Sequence, residues 1–481
     1  MNRYLKNMNL WRVGSLLALM CGSPLAAEEL HLSVRPHIVH VIADDLGWND
    51  VGFHGSEIET PRIDALAGES VVLDRFYVAP ICSPTRAGVL TGRYPFRFGI
   101  WKGVISPFKR HGLPPSELTT PEYLAKAGYK RRGMFGKWHL GLASSQFHPN
   151  QHGFTYFYGH YNGAIDYFSH ERAGEVDWHR NEETLDEAGY STDLIGDEAA
   201  RFILEHPDES PFYMVVAFNA PHSPIQATTD QLDRYSFDPE GPRAPNTDRK
   251  IAMREKAPAY GEAGKGNTIR QTYSAMVSSL DDNLGKILDA LQRRGIEERT
   301  IVIFHSDNGG TPVHGGSNQP LRGNKFTTWE GGVRVVAMIR WPEQLAAGRY
   351  QGVAAYIDLL PTLLKVVNLA PERPVDGVDL FERITSQMEP PERYVLLGER
   401  TVVGQRWKLN EDEFYDLSTN PNESAPVAQP PTAVMQTLER QQLRFKQLSG
   451  PSYQSEIQVP KVWPPKGWQL PAESLPRDDR D

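Results

Sequence analysis

The chain has 481 residues, 40% of them hydrophobic and 10% aromatic, enough to bury a large core. Acidic residues outnumber basic ones, 60 to 51, leaving a formal net charge of -9. That balance argues against a general nucleic-acid coat, which draws on surplus Lys and Arg. A charged content of 23% with this many aromatics excludes a mostly disordered chain, and two cysteines exclude a disulfide framework.

At the start of the chain, Arg3, Lys6 and Arg12 precede a short apolar run, Val13 to Leu25, which ends in Ala26-Ala27-Glu28-Glu29. This is the order of an export signal. The run is shorter than the roughly 20 apolar residues that cross a bilayer. Residues 1–27 are therefore expected to be a cleaved signal, and the mature chain to be periplasmic or secreted without stable membrane insertion. Cleavage removes Cys21 and leaves Cys82 alone.

Residues 37–43, 211–218 and 300–304 are short β-branched runs that predict buried strands. Between them, Tyr273, Met276, Val277, Leu280, Leu284, Ile287, Leu288 and Leu291 follow helical spacing, and Gly295 supplies a stop. Alternating strands and helices predict an α/β domain around a large, mostly parallel sheet flanked by helices, spanning 28–375. Residues 238–268 read as a long mobile loop. Beyond residue 375 the pattern shifts to short strands, 394–397, 401–409 and 414–417, then a helix near 431–448. A smaller C-terminal α+β domain, 376–481, is predicted, with a Pro-rich tail that Trp463 and Trp468 could pin down.

Two acidic clusters follow predicted strands directly. Asp44-Asp45 follows 37–43, and Asp307-Asn308 follows 300–304, ahead of Gly309-Gly310. A parallel sheet brings such strand ends together, and four oxygen donors suit a hard divalent ion, Ca²⁺ or Mg²⁺. Taken singly, each pair reads more readily as a turn or a helix cap, and it is the two together, at matching strand ends, that favour a metal. The third feature is Cys82-Ser83-Pro84-Thr85-Arg86, continuing to Leu90-Thr91-Gly92-Arg93. Arg86 stands where it can hold an anion or lower a thiol's proton affinity.

This last segment resembles the Cys-x-Pro-x-Arg…Leu-Thr-Gly-Arg signature of type I sulfatases, in which the cysteine becomes formylglycine. Thr85 stands where serine is commoner, and keeps the hydroxyl. The run from Ala43 to Gly55, Ala-Asp-Asp-Leu-Gly-Trp-Asn-Asp-Val-Gly-Phe-His-Gly, is similar to the arylsulfatase B (N-acetylgalactosamine-4-sulfatase) branch. The similarity continues through Gly136-Lys137-Trp138-His139-Leu140-Gly141, Pro221-His222, Arg322 to Lys325 and Trp329 to Arg334, and into Trp407 to Leu409 and Phe414 to Leu417.

The resemblance implies an alkaline-phosphatase-like sulfatase fold and a set of roles. Asp44, Asp45, Asp307 and Asn308, with an oxygen of residue 82, would bind Ca²⁺ or Mg²⁺. Formylglycine at Cys82 would hydrate and attack sulfur, with Arg86 stabilising the diol and Lys137 bridging it and the sulfate. His139 would take a proton as sulfate leaves, while His222 and Lys325 contact the ester and His222 protonates the departing sugar alcohol. A formylglycine-generating maturase would act before folding. The implied substrate is a sulfated oligosaccharide or polysaccharide with a galacto-configured 4-O-sulfate, from a glycosaminoglycan (chondroitin or dermatan) or from carrageenan. Arg93, Arg97, Lys102, Lys109, Arg110 and His111 form a candidate basic patch for such a polyanion. His40 reads as core, and His305, beside Asp307, as core or as a support behind the site. Two other readings stay open: a phosphomonoester or phosphonate hydrolase of the same superfamily, and a non-catalytic protein that binds sulfated glycans.

Overall fold

The computed structural model describes residues 35–106, 109–172, 175–207, 210–245, 264–385 and 390–450. The expected signal, residues 246–263 of the expected loop, and the tail with its two tryptophans lie outside them. No helix among the described residues is long and apolar enough to cross a membrane.

The strand His37–Ala43 is buried along its whole length, as an apolar run covered on both faces should be. It pairs in parallel with Phe212–Ala217 on one side and Thr300–Ser306 on the other. Arg131–Lys137 and Tyr156–His160 extend the parallel centre of a ten-stranded sheet. Antiparallel pairings flank that centre, with Ala337–Arg340 on one side and His179–Arg180 on the other. The sheet is thus parallel where the site residues lie and mixed towards its edges.

Helices cover both faces. On one, Val39, Val41, Met214, Val216, Val302 and Phe304 join a core with Ile195, Ala199 and Phe202 of helix Ser191–Leu204 and with Met276, Leu280 and Leu284 of helix Ile269–Arg293. On the other, Ile301, Ile303 and Ile339 face Leu359 and Leu363 of helix Leu359–Val366. The alternation along each strand is what a period of two requires. Thr268 caps the long helix by accepting from the Gln271 amide, and Gly295 lies just past its end with φ 61°, as expected of a helix stop.

Two expectations are corrected. The strand predicted to end at 304 runs to Ser306, because the polar His305 is buried and pairs with His40, Nε2 to Nε2 at 2.8 Å. The single strand expected over 401–409 is a hairpin, Thr401–Val403 and Trp407–Asn410, closed where the Gly404 amide donates to the Trp407 carbonyl at 2.8 Å. With Val395–Gly398 and Glu413–Asp416 it forms a four-stranded antiparallel sheet. Helix Thr432–Leu448 lies against that sheet, and its Phe445 packs on Phe96, ring centroids 4.1 Å apart.

Candidate active site

The parallel register puts Ala43 opposite Ser306, so the two acidic pairs emerge side by side. The Asp45 amide donates to Asp307 Oδ1 at 3.3 Å, and Asn308 Nδ2 donates to Asp45 Oδ1 at 2.7 Å. Lys137 is the last residue of its strand, two positions before His139, and His222 follows the Phe212–Ala217 strand. All arrive at the same edge of the sheet, where the loops of a parallel sheet diverge.

Cys82 opens the helix Cys82–Thr91, whose residues are all buried. The start of that helix is held by Thr85, whose hydroxyl donates to the carbonyls of Ala79 and Ile81 at 3.2 and 3.3 Å. One turn on, Arg86 donates through Nε and Nη2 to Asp307 Oδ2 at 3.0 and 2.9 Å, and through Nη1 to the Lys137 carbonyl at 2.7 Å. Lys137 Nζ donates to Asp44 Oδ2. Lys325 Nζ donates to both oxygens of Asp45, at 2.7 and 3.0 Å, and lies 3.3 Å from Cys82 Sγ. The thiol in turn is 3.5 Å from Asp44 Oδ1, and His222 Nε2 is 3.7 Å from Asp45 Oδ2. Side chains of Asp44, Asp45, Cys82, Arg86, Lys137, His222, Asp307, Asn308 and Lys325 thus form one constellation, with three buried carboxylates facing three buried cations, while His139 is tied to it through its carbonyl, which accepts from Ser83 Oγ at 2.9 Å.

Burial pushes the Cys82 thiol up, and Asp307 adds to it against the opposing pull of Lys137 and Lys325. An unmodified Cys82 is thus a neutral thiol, a poor nucleophile. Burial, then Asp307, raises Asp44 to about 7 despite Lys137. Burial works the same way on Asp45, but Lys325 outweighs it and holds this carboxyl well below the ordinary range. His139 and His222 are both lowered well below 6.5, first by burial and then by neighbouring lysines. The two imidazoles are neutral while the surrounding carboxylates hold the lysines.

The donor set fits a hard divalent cation. Asp44, Asp45 and Asp307 supply carboxylate oxygens, and the buried Asn308 Oδ1 has no hydrogen-bond partner among the described residues. Ligand atoms of Asp44, Asp45, Cys82 and His222 lie within 4.8 Å of one another. Oxygen donors of this kind suit Ca²⁺ or Mg²⁺ rather than a soft metal.

Local backbone conformation is unusual here. Asp45 and His139 have φ of 64° and 57°, a region that favours glycine. Gly309 has its own constraint, since a Cβ there would lie 1.9 Å from the Gly331 carbonyl oxygen. The acidic loop can pack on Trp329 to Val333 only without a side chain.

Several supports of the site carry no signal in the sequence. Ser306 Oγ accepts from the Leu46 amide at 3.1 Å and donates to the Asn308 carbonyl at 2.8 Å, bridging the two acidic loops. Asn318 bonds Gly310 through both its amide atoms, at 2.8 and 2.9 Å. Tyr273, read as a core position of its helix, lies with its hydroxyl 3.1 Å from the Asp45 carbonyl oxygen and 2.7 Å from Asp50 Oδ2. Nothing in residue type or spacing marks these three, because each acts through contacts remote in sequence. The expected basic patch is smaller than its sequence suggests. Arg93 is held by Glu117 and Arg97 by Asp376, so both are neutralised internally.

The sulfatase family model matches residues 36–369. N-acetylgalactosamine-6-sulfatase of Mus musculus is 35% identical over 419 residues, 79% of this chain and 74% of that one. Arylsulfatase J of Mus musculus is 34% identical over 368 residues, 74% of this chain but only 57% of that longer protein. Among solved structures, Ps i-CgsB superposes with a TM-score of 0.75 at 27% identity, covering 88% of this chain and 95% of that one. The alkaline-phosphatase-like sulfatase fold is shared with these neighbours. A family match across the whole region that builds the site leads to one conclusion: the chain belongs to the sulfatase family.

Proposed function

We propose that this protein hydrolyses sulfate monoesters of a carbohydrate, using residue 82 as nucleophile after its cysteine is converted to formylglycine. One observation carries the reading. Cys82 Sγ stands at the first turn of a helix, 3.3 Å from Lys325 Nζ and 3.5 Å from Asp44 Oδ1, at the meeting point of the buried charges. Converted and hydrated, residue 82 would supply one hydroxyl for attack on sulfur and a second for release of sulfate, which a thiol cannot do. Asp44, Asp45, Asp307 and Asn308, with residue 82, would hold Ca²⁺ or Mg²⁺, which when bound withdraws charge from oxygen.

The protein's own groups do the rest. Arg86, clamped by Asp307 and the Lys137 carbonyl, orients residue 82. Lys137 and Lys325 exchange carboxylate partners for sulfate oxygens, and a water-poor pocket strengthens those contacts. Neutral His139 accepts the proton released when sulfate departs. His222 is oriented by its Nδ1, 2.6 Å from the Ser223 carbonyl oxygen, which leaves Nε2 for the leaving alcohol. A bound anionic ester favours protonation there.

The finer reading is a galacto-configured 4-O-sulfate. The 35%-identical relative is named for N-acetylgalactosamine, and Ps i-CgsB has been solved with k-i-k-neocarrahexaose, a carrageenan oligosaccharide. Both support a galacto-configured sugar from a glycosaminoglycan or a carrageenan. The similarity of residues 43–55 to the 4-sulfatase branch supports the 4-position, against the 6-position named in that relative. Burial of Cys82 supports conversion before folding, since a maturase cannot reach a side chain that is 1% exposed in a helix. The pattern of residues 1–27 supports export to the periplasm or medium.

Mass spectrometry of the tryptic peptide Phe76–Arg86, from a host able to convert the motif, tests the nucleophile. An aldehyde or diol at residue 82 is expected, together with sulfate release that Cys82→Ala abolishes. Near-native turnover by Cys82→Ala would overturn the mechanism. Against matched 4- and 6-sulfated galacto-oligosaccharides, with a phosphate monoester as control, the 4-sulfate is expected to have the highest kcat/KM.

A further inference from the structure

Lys325 and the residue after it differ sharply in their surroundings. Lys325 is 5% exposed, whereas Phe326 is 71% exposed, more than any other large apolar side chain among the described residues. The Thr327 amide donates to the Asn324 carbonyl at 3.0 Å, closing a tight turn with Lys325 and Phe326 at its centre. Phe326 has φ 75°. Glycine is the default in a turn position of that kind, and a bulky aromatic there is a genuine outlier. An exposed ring gains no burial to offset either the strain or its own contact with water.

Its place explains what the local rules do not. The Phe326 amide donates to the Pro80 carbonyl at 2.9 Å, tying the turn to the segment that leads into Cys82. The ring centroid is 5.5 Å from Lys325 Nζ, the ammonium that touches both Cys82 and Asp45. The ring therefore stands beside the pocket, one side chain away from residue 82. The pocket behind it consists of charged and polar groups, which serve a sulfate and offer nothing to the carbon skeleton attached to it. A pyranose has one face of clustered C–H groups, and a ligand site for such a body needs an apolar surface alongside its polar anchors. We infer that Phe326 is a sugar-contacting specificity residue, an aromatic platform on which the C–H face of the sulfated pyranose rests while its sulfate enters between Lys137 and Lys325.

This inference rests on the reading of the pocket as a sulfated-sugar site. It is tested with converted enzyme carrying Phe326→Ala or Phe326→Trp. The readouts are kcat and KM on a sulfated galacto-oligosaccharide and the inhibition constant of inorganic sulfate, which reaches the charged pocket but has no carbon face. Phe326→Ala is expected to raise KM by about tenfold, the effect of uncovering most of one apolar contact. Sulfate inhibition should shift far less, and Phe326→Trp should restore KM. An unchanged KM, or KM and the sulfate constant rising together, would overturn the inference, the second because it makes the ring a mere support for Lys325. If the unsubstituted, converted enzyme releases sulfate from no sugar, the parent reading fails and takes this one with it. That failure is visible before any substitution is made.

Discussion

At the scale of single residues, Asn308 shows how one amide serves two ends. Its Nδ2 donates to Asp45 Oδ1 at 2.7 Å and to the Gly309 carbonyl at 3.0 Å, which fixes the amide plane. Oδ1 is left buried without a partner among the described residues. A buried acceptor without a donor is costly, and a cation is the natural remedy. Asn308→Ala should leave the fold in place and weaken binding of the proposed divalent cation, Ca²⁺ or Mg²⁺, by at least about tenfold, the scale of one lost charge-assisted contact. Calorimetric titration of the metal-stripped protein measures this, and an affinity equal to wild type would remove Asn308 from the ligand set. Residue type and position made Asp44, Asp45, Asp307 and Asn308 legible, because acidic pairs directly after strands are visible without a structure. The positive φ of Asp45 and His139 was not, since either residue type is ordinary in a loop.

At the scale of elements, the segment after Lys137 is held by its neighbours rather than by its own propensity. Trp138 Nε1 donates to the Phe147 carbonyl at 2.8 Å, and the Trp138 ring meets His152, centroids 5.7 Å apart, at the end of the short turn Pro149–His152. Thr119 Oγ1 donates to the His152 carbonyl at 2.7 Å. Burial lowers His152 from 6.5 to about 4, so the folded chain holds it neutral in a range where the unfolded chain protonates it. The unfolded state then binds more protons, and stability falls as pH drops from about 6.5 towards about 4. His152→Gln should therefore lose less Tm than wild type between about pH 7 and about pH 5. Equal losses in both proteins would show that other groups govern the acid limb. The strand Arg131–Lys137 carries the sequence Arg-Arg-Gly-Met-Phe-Gly-Lys, which has no strand pattern of its own. Its charged start and two glycines hide it, and only pairing with Phe212–Ala217 and Tyr156–His160 makes it a strand.

Across the whole molecule, the small C-terminal sheet is joined to the loops of the candidate active site by a buried charge cluster. Lys408 Nζ, on the strand Trp407–Asn410, donates to Glu330 Oε1 at 2.9 Å and lies 2.9 Å from Glu423 Oε1. Tyr77 donates to the other Glu330 oxygen at 3.0 Å, and the Glu330 amide donates to Glu423 Oε2 at 2.6 Å. Arg322, three residues before Lys325, donates to the Glu423 carbonyl at 3.1 Å. Removing one member leaves uncompensated charge in the interior, at a cost of roughly 3–5 kcal/mol. Lys408→Met should lower urea-unfolding stability by that order and also reduce kcat, because the cluster anchors the loop that carries Lys325. A stability loss with unchanged kcat would confine its role to folding.

By itself, the sequence determined the α/β class, the alternation of strand and helix, the two acidic pairs and the cysteine segment. These depend on local periodicity and on short contiguous motifs. Tertiary structure alone decided the rest. It assembled Lys137, His222 and Lys325, more than 180 positions apart end to end, around one thiol, and buried lysines that spacing would place in solvent. It divided the 401–409 run into a hairpin and turned Arg93 and Arg97 inward to carboxylates. It also left Phe326 exposed beside the pocket. The physical reason is common to all of these: burial, charge pairing and strand registry are properties of contacts between distant segments, which no local pattern encodes.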